Sequence, residues 1–199
     1  MQASVHRYFV LHKPINMVSQ FVSSHDVPLL GALDFPFPEG THAIGRLDQH
    51  SEGLLLLTTN KTITRKLFQG AVPHTRQYLV KVKKIISENA LHRLRTGVPI
   101  IVKGGEVYIT MGCSVEVIHD FSRFDVIKEV EQSYPLHSWI LITLVEGKYH
   151  QVRKMVRIVG HKCLRLIRVA IEDIKLEDLP PGGVMEMEED RFFSLLKLD

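Results

Sequence analysis

The sequence predicts an α+β fold around a mixed, mainly antiparallel sheet with flanking helices. Three observations predict it. Apolar alternation of period two, the mark of a half-buried strand, recurs along the chain. Apolar spacing of period 3.6 marks a few separate helices. The two kinds of segment do not follow the regular strand–helix–strand rhythm of a parallel α/β chain. The 199 residues are 45% hydrophobic and 24% charged, ordinary values for one compact domain spanning residues 1–199.

The elements follow in order. "RYFVLHKP" reads as a first strand, closed by Pro14. Prolines at 28, 36 and 38 predict a long loop with at most one short helix. "GLLLLTTN" is too short for a core helix and reads as a buried strand. Asn60 then caps a short helix ending at Gly70. In "RQYLVKVKK", Tyr78, Val80 and Val82 share one face, and Gln77, Leu79, Lys81 and Lys83 the other, so it is a strand. "SENALHRLRTG" is a helix from a Ser87 cap to Gly97, and "VPIIVKGGEVYIT" a hairpin around Gly104-Gly105. The polar stretch from His119 to His137 gives no pattern. "SWILITLVEG" is a strand. "HQVRKMVRIVG" switches to helical period through Val152, Met155, Val156 and Val159, and "CLRLIRVAI" returns to strand. "LPPGG" is a turn, and "EEDRFFSLLKL" a closing amphipathic helix.

Several function classes lack their signatures. Cys113 and Cys163 stand far apart and form no CxxC pair. The 11 histidines include no HExxH, and no Gly-rich phosphate loop is present. No run approaches the ~20 apolar residues needed to span a bilayer. The start of the chain, with Arg7 and two histidines, lacks the apolar core of a secretory leader. The expectation is a soluble, cytoplasmic protein with no metal, no nucleotide cofactor and no membrane partner.

The net charge is only +3, but its distribution is uneven. From Lys148 to Arg168 there are seven Lys or Arg and no Asp or Glu. On the helix the apolar stripe faces a core, so Arg153, Lys154 and Arg157 point elsewhere. Lys148 stands just before them, and Lys162, Arg165 and Arg168 follow. One-signed charge is costly unless a polyanion neutralises it, and nucleic-acid phosphates do so with counterion release. The other notable feature is the Arg46-x-Asp48 pair, placed where a loop enters the run Leu54–Leu57. An ion pair on the surface would be silent, worth ~0–1 kcal/mol, but loops leaving a sheet are where functional groups collect.

"GRLDQHSEGLLLLTTN", "RQYLVKV" and "EGKYHQVRKMVRIVGHKCLRLIRVAI", in that order, resemble the motifs of the RsuA family of RNA pseudouridine synthases, and "VLHKPINMVSQF" resembles its opening strand and Lys-Pro motif. Three departures are visible. Asn16 stands where a glycine often follows the Lys-Pro pair, Asn60-Lys61 replaces the common Asn-Asp-Gly exit, and Arg76 replaces a lysine before the tyrosine. The resemblance implies a catalytic domain of two lobes with a central cleft. It also points to the RluE-type subgroup, which acts on large-subunit ribosomal RNA and lacks the family's small N-terminal RNA-binding module.

By resemblance, Asp48 is the essential carboxylate, acting on the ribose or on the base. It must stay ionised, which a neighbouring cation favours; Arg153 matches the family's ion-pair partner. Tyr78 matches the active-site tyrosine that stacks on the flipped uracil, with Leu79 or Ile167 lining the pocket. Arg46 matches an arginine that enters the RNA helix. Lys148, Lys154, Arg157, Lys162 and Arg165 would hold phosphates of a structured stem-loop. No cofactor is required, since the product is an isomer, and the expected enzyme is a monomer. A rival reading is a ribosome-assembly factor that binds RNA on this fold without turnover. It gives no reason for Asp48, Tyr78 and Arg153 to occur together. A glycosidic hydrolase would need a second carboxylate that no motif supplies.

Overall fold

A computed structural model describes residues 6–69, 73–124 and 136–198, with the backbone alone at 68 and 69. In chain order the elements begin with β1 (Tyr8–Lys13), a single 3-10 turn (Leu30–Ala32), β2 (His42–Ala43), β3 (Glu52–Thr58), α1 (Ile63–Gln69) and β4 (Arg76–Lys83). They continue with α2 (Glu88–Thr96), β5 (Pro99–Ile101), β6 (Val107–Ile109), β7 (Ser114–Ile118) and β8 (His137–Leu144). The last are α3 (Gln151–Ile158), β9 (Cys163–Ile171), β10 (Ile174–Lys175), β11 (Val184–Met187) and α4 (Glu189–Leu196). The α+β class is as the sequence predicts. Gly70 and residues 125–135 of the patternless stretch lie outside the described residues.

The chain forms two compact units, residues 1–74 with 168–199, and residues 75–167. Strand β9 is divided between them.

In the first unit β1 runs antiparallel to both β3 and β11, with Tyr8 opposite Thr58 and Met187. β2 pairs with β3 from the other side, His42 opposite Thr58. All seven residues of β3 are buried, which explains its unbroken leucine run: both faces are covered, so no alternation is needed. Full burial of each leucine contributes about 1.5–3 kcal/mol. β1 is covered on both faces as well. Tyr8 packs on Phe192 of α4 at 4.7 Å, while Phe9 points the other way onto Phe35 and Phe37. Period two then puts Lys13 on the face of Phe9 and Leu11, where it is 0% exposed. Directly ahead of α1, the Asn60 carboxamide oxygen accepts from the N–H and hydroxyl of Thr62, an Asx turn that ends where the helix begins.

In the second unit β8 lies between β4 and β7, all antiparallel, with Tyr78 opposite Ile142 and Val117 opposite Ile140. Val80, Val82, Ile140 and Ile142 form one core with Leu91 and Leu94 of α2 and with Val152, Met155 and Val156 of α3. The Ser87 side chain caps α2 by accepting from Ala90 N–H, and Gly97 ends it at φ 102°. A Cβ at Gly97 would meet the Thr110 carbonyl oxygen at 2.3 Å, so only glycine fits. Gly104 and Gly105 both have positive φ, which lets a two-strand hairpin close tightly between β5 and β6. Ile100 and Tyr108 of that hairpin face the core, while Ile101, Val107 and Ile109 face solvent.

Candidate active site

Asp48 lies in the loop between β2 and β3, half-buried, beside exposed Arg46 and buried Leu47. The main chain there is held by groups distant in sequence. The Arg46 carbonyl accepts from Arg168 Nη1 at 3.4 Å. The Leu47 carbonyl accepts from Ser19 Oγ at 2.8 Å, and the same hydroxyl oxygen accepts from Leu47 N–H at 3.0 Å. The Asp48 carbonyl accepts from Ser51 N–H at 3.0 Å. The Gln49 carbonyl accepts from Asn16 N–H at 2.8 Å and, at 3.5 Å, from Lys13 Nζ. Four consecutive carbonyls are therefore tied, which fixes the main chain that carries Asp48.

The Lys-Pro segment is built for this. Asn16 has φ 66°, a left-handed conformation that Asn tolerates better than most residues. Glycine, expected here from the resembled motif, would adopt the same conformation, so Asn16 keeps the shape. Lys13 Nζ donates to the carbonyls of Pro14 and Met17, each at 2.7 Å. Burial pushes its pKa down from 10.5 to about 8, opposed by Glu52 and Asp48 and aided by Arg168. Two cations and two carboxylates thus share one interior region, balancing in sign.

Arg168 is a correction. The sequence groups it with the outward-facing cations, but it is 2% exposed, and its Nε donates to the Leu54 carbonyl at 2.7 Å. Strand alternation supplies the signal: residues 165 and 168 fall on opposite faces of β9. Burying a guanidinium is costly unless its donors find oxygens, and here main-chain carbonyls accept from Nε and Nη1.

The second unit holds the remaining predicted residues. Tyr78 of β4 is half-buried, packed against the core of that unit. Leu79 and Ile167 are fully buried. Arg153 on α3 is half-buried, and its Nη1 lies 3.6 Å from Cys163 Sγ. Burial raises the Cys163 thiol to about 11, against the opposing pull of Arg153, so this cysteine stays neutral and unreactive.

The turn into α3 is organised locally. Gln151 is buried; its Oε1 accepts from Lys148 N–H at 2.8 Å and its Nε2 donates to Glu146 at 2.5 Å. Lys148, Arg157 and Lys162 are exposed, and Arg165 is half-buried. Lys154, also half-buried, donates from Nζ to the Ile101 carbonyl at 2.7 Å. Among the described residues no three His, Cys, Asp or Glu side chains gather as a metal site, and no helix is long and apolar enough to cross a membrane.

Comparison with known proteins converges on one chemistry. The family model for RNA pseudouridylate synthase matches residues 7–157. A ribosomal large subunit pseudouridine synthase E from Vibrio vulnificus (strain CMCP6) is 33% identical over 182 residues, 91% of this chain and 75% of that protein. A protein of the same name from Xanthomonas axonopodis pv. citri (strain 306) is 32% identical over 172 residues, covering 86% of this chain and 89% of the relative. The crystal structure of a pseudouridylate synthase superposes with a TM-score of 0.75 at 25% identity, over 98% of this chain and 76% of that one.

Proposed function

Since the chain belongs to the RNA pseudouridylate synthase family, we propose that it converts one uridine of large-subunit ribosomal RNA to pseudouridine, with Asp48 as the essential carboxylate. The relatives named for the large ribosomal subunit support that substrate. The observation that carries the catalytic assignment is the fixed loop of residues 46–49, which holds one half-buried acid at the entry to a buried strand.

The reaction breaks the C1′–N1 bond, turns the uracil and joins C1′ to C5. C5 loses its proton and N1 gains one, so atoms and electrons balance within the nucleotide. Stacked uridine hides these atoms, and the base must leave the helix at a cost of a few kcal/mol. Asp48, ionised, engages the ribose or the base. Arg153 is assigned to keep that carboxylate negative, and Tyr78 to stack on the uracil and help remove the C5 proton. Arg46, exposed, fills the space the uridine leaves. Lys148, Lys154, Arg157, Lys162 and Arg165 hold phosphates, which set register without reading sequence. The enzyme acts as a cytoplasmic monomer.

Tritium release from RNA carrying 5-tritiated uridine tests this. Asp48→Asn is expected to lose at least ~10³-fold in turnover while RNA affinity stays near that of the parent. Turnover at the parent rate would remove the assignment. Mapping pseudouridines in ribosomal RNA from cells with and without the protein identifies the uridine.

A further inference from the structure

Tyr149 is 70% exposed, and the packing of α3 does not need it: the buried stripe of that helix is Val152, Met155, Val156 and the following Val159. The ring is nonetheless held in place. It lies nearly parallel to the His150 imidazole, centroids 3.8 Å apart and planes 19° off. The Lys154 ammonium stands 5.4 Å from its centroid, itself anchored on the Ile101 carbonyl. His150 adopts φ 54° to make this turn, a left-handed conformation that disfavours residues other than glycine.

Cations outnumber acids in this part of the unit, with Lys103, Lys148, Lys154 and Arg157 against Glu106 and Glu146. Lys148 is exposed, with its ammonium 4.4 Å from the Tyr108 ring centroid, and Arg157 is exposed about two turns along α3. Glu146, three residues before Tyr149, is engaged by Tyr108 Oη at 2.5 Å, Met111 N–H at 2.9 Å and Gln151. Exposed Glu106 lies at the hairpin tip, close in sequence to exposed Lys103. An open aromatic ring among cations suits an unpaired nucleotide: the π-face takes the base and the ammonium groups take the flanking phosphates.

We propose that Tyr149, backed by His150, is a stacking platform for an unpaired RNA base, with Lys148, Lys154 and Arg157 holding the adjoining phosphates. This rests on reading the chain as an RNA-modifying enzyme, and it names a contact outside the reacting nucleotide. Stacking of this kind is tolerant of base identity, so the platform positions the RNA and leaves the choice of uridine to other contacts.

The test uses the full chain and a short single-stranded oligoribonucleotide carrying 2-aminopurine, whose fluorescence falls when it stacks. The parent is expected to quench it. Tyr149→Ala loses the quench and weakens binding about 5- to 150-fold, with a salt dependence parallel to the parent, because no cation is removed. Tyr149→Phe keeps both quench and affinity. Tyr149→Leu preserves apolar bulk without a ring and also loses the quench, which covers any stability change in the alanine variant. The proposal is overturned if Tyr149→Ala still quenches and binds as the parent does. It is equally overturned if Tyr149→Phe loses as much as alanine, or if the salt slope falls with the ring, since the ring then only places Lys154. Quenching without pseudouridine formation in the parent defeats the enzymatic reading and leaves the platform standing; turnover with a quench that ignores Tyr149 does the reverse.

Discussion

The Asp48 loop and the turn into α3 do similar work in opposite ways. Each delivers the chain into a buried element, β3 in one case and α3 in the other. At Asp48, side chains reach inward from afar to hold the main chain: Ser19 is 28 residues away and Arg168 is 122 from the carbonyl it binds. At α3, the turn is closed by its own neighbours, Lys148 and Gln151, and side chains reach outward. On the proposed function, the acid needs a fixed position more than access, and the proposed phosphate-binding surface needs access more than a fixed position. Damage to the first loop should therefore cost stability and turnover together, and damage to the second should cost binding alone.

The largest effect tests the inward side. Arg168→Met leaves the shared interior region one cation short and frees two carbonyls, so a loss of about 3–5 kcal/mol in urea denaturation is expected. Lysine should not restore it, because one ammonium lacks the forked reach to both oxygens. Stability within error of the parent would show that the loop does not depend on this clamp. Ser19→Ala comes next, at about 1–3 kcal/mol, since the Leu47 N–H and carbonyl both lose a buried partner. Turnover should fall in step with it.

Lys13 gives a pH signature. Its folded-state pKa is about 8 against 10.5 when unfolded, so between those values the unfolded chain binds more protons. The burial penalty is present at neutral pH and is relieved as pH rises through that window. The parent should thus gain stability relative to Lys13→Met between pH 8 and 10.5; parallel curves would contradict the assignment. The smallest effect on folding belongs to the outward side. Lys148→Ala with Arg157→Ala should shift stability by no more than about 0.5 kcal/mol. The same pair should lower the log–log salt slope of RNA binding by about 1.5. An unchanged slope would show that these cations face something other than phosphate.

This contrast also explains what could be read in advance. Local chemistry was legible: the Ser87 cap, the Gly104-Gly105 hairpin, the alternation through Tyr78 and the helical stripe of α3 each lie within a dozen residues. The place of Asp48 at the mouth of a buried strand was legible too. The clamp was not, because no local pattern records that residues 13, 16, 19 and 168 meet one loop. Strands β2, β10 and β11 escaped for a related reason: two to four residues carry too little periodicity, and their partners define them. β7 was missed although Val115 and Val117 alternate with Ser114 and Glu116, a signal present but short.

The dispersal of those anchors bears on transplantation. Residues 45–52 are not a portable module: grafted onto another scaffold they would bring the acid without the lysine, serine and arginine that aim it. A successful graft would have to recreate donors drawn from two further stretches of chain, residues 13–19 and Arg168, before any chemistry could be asked of it.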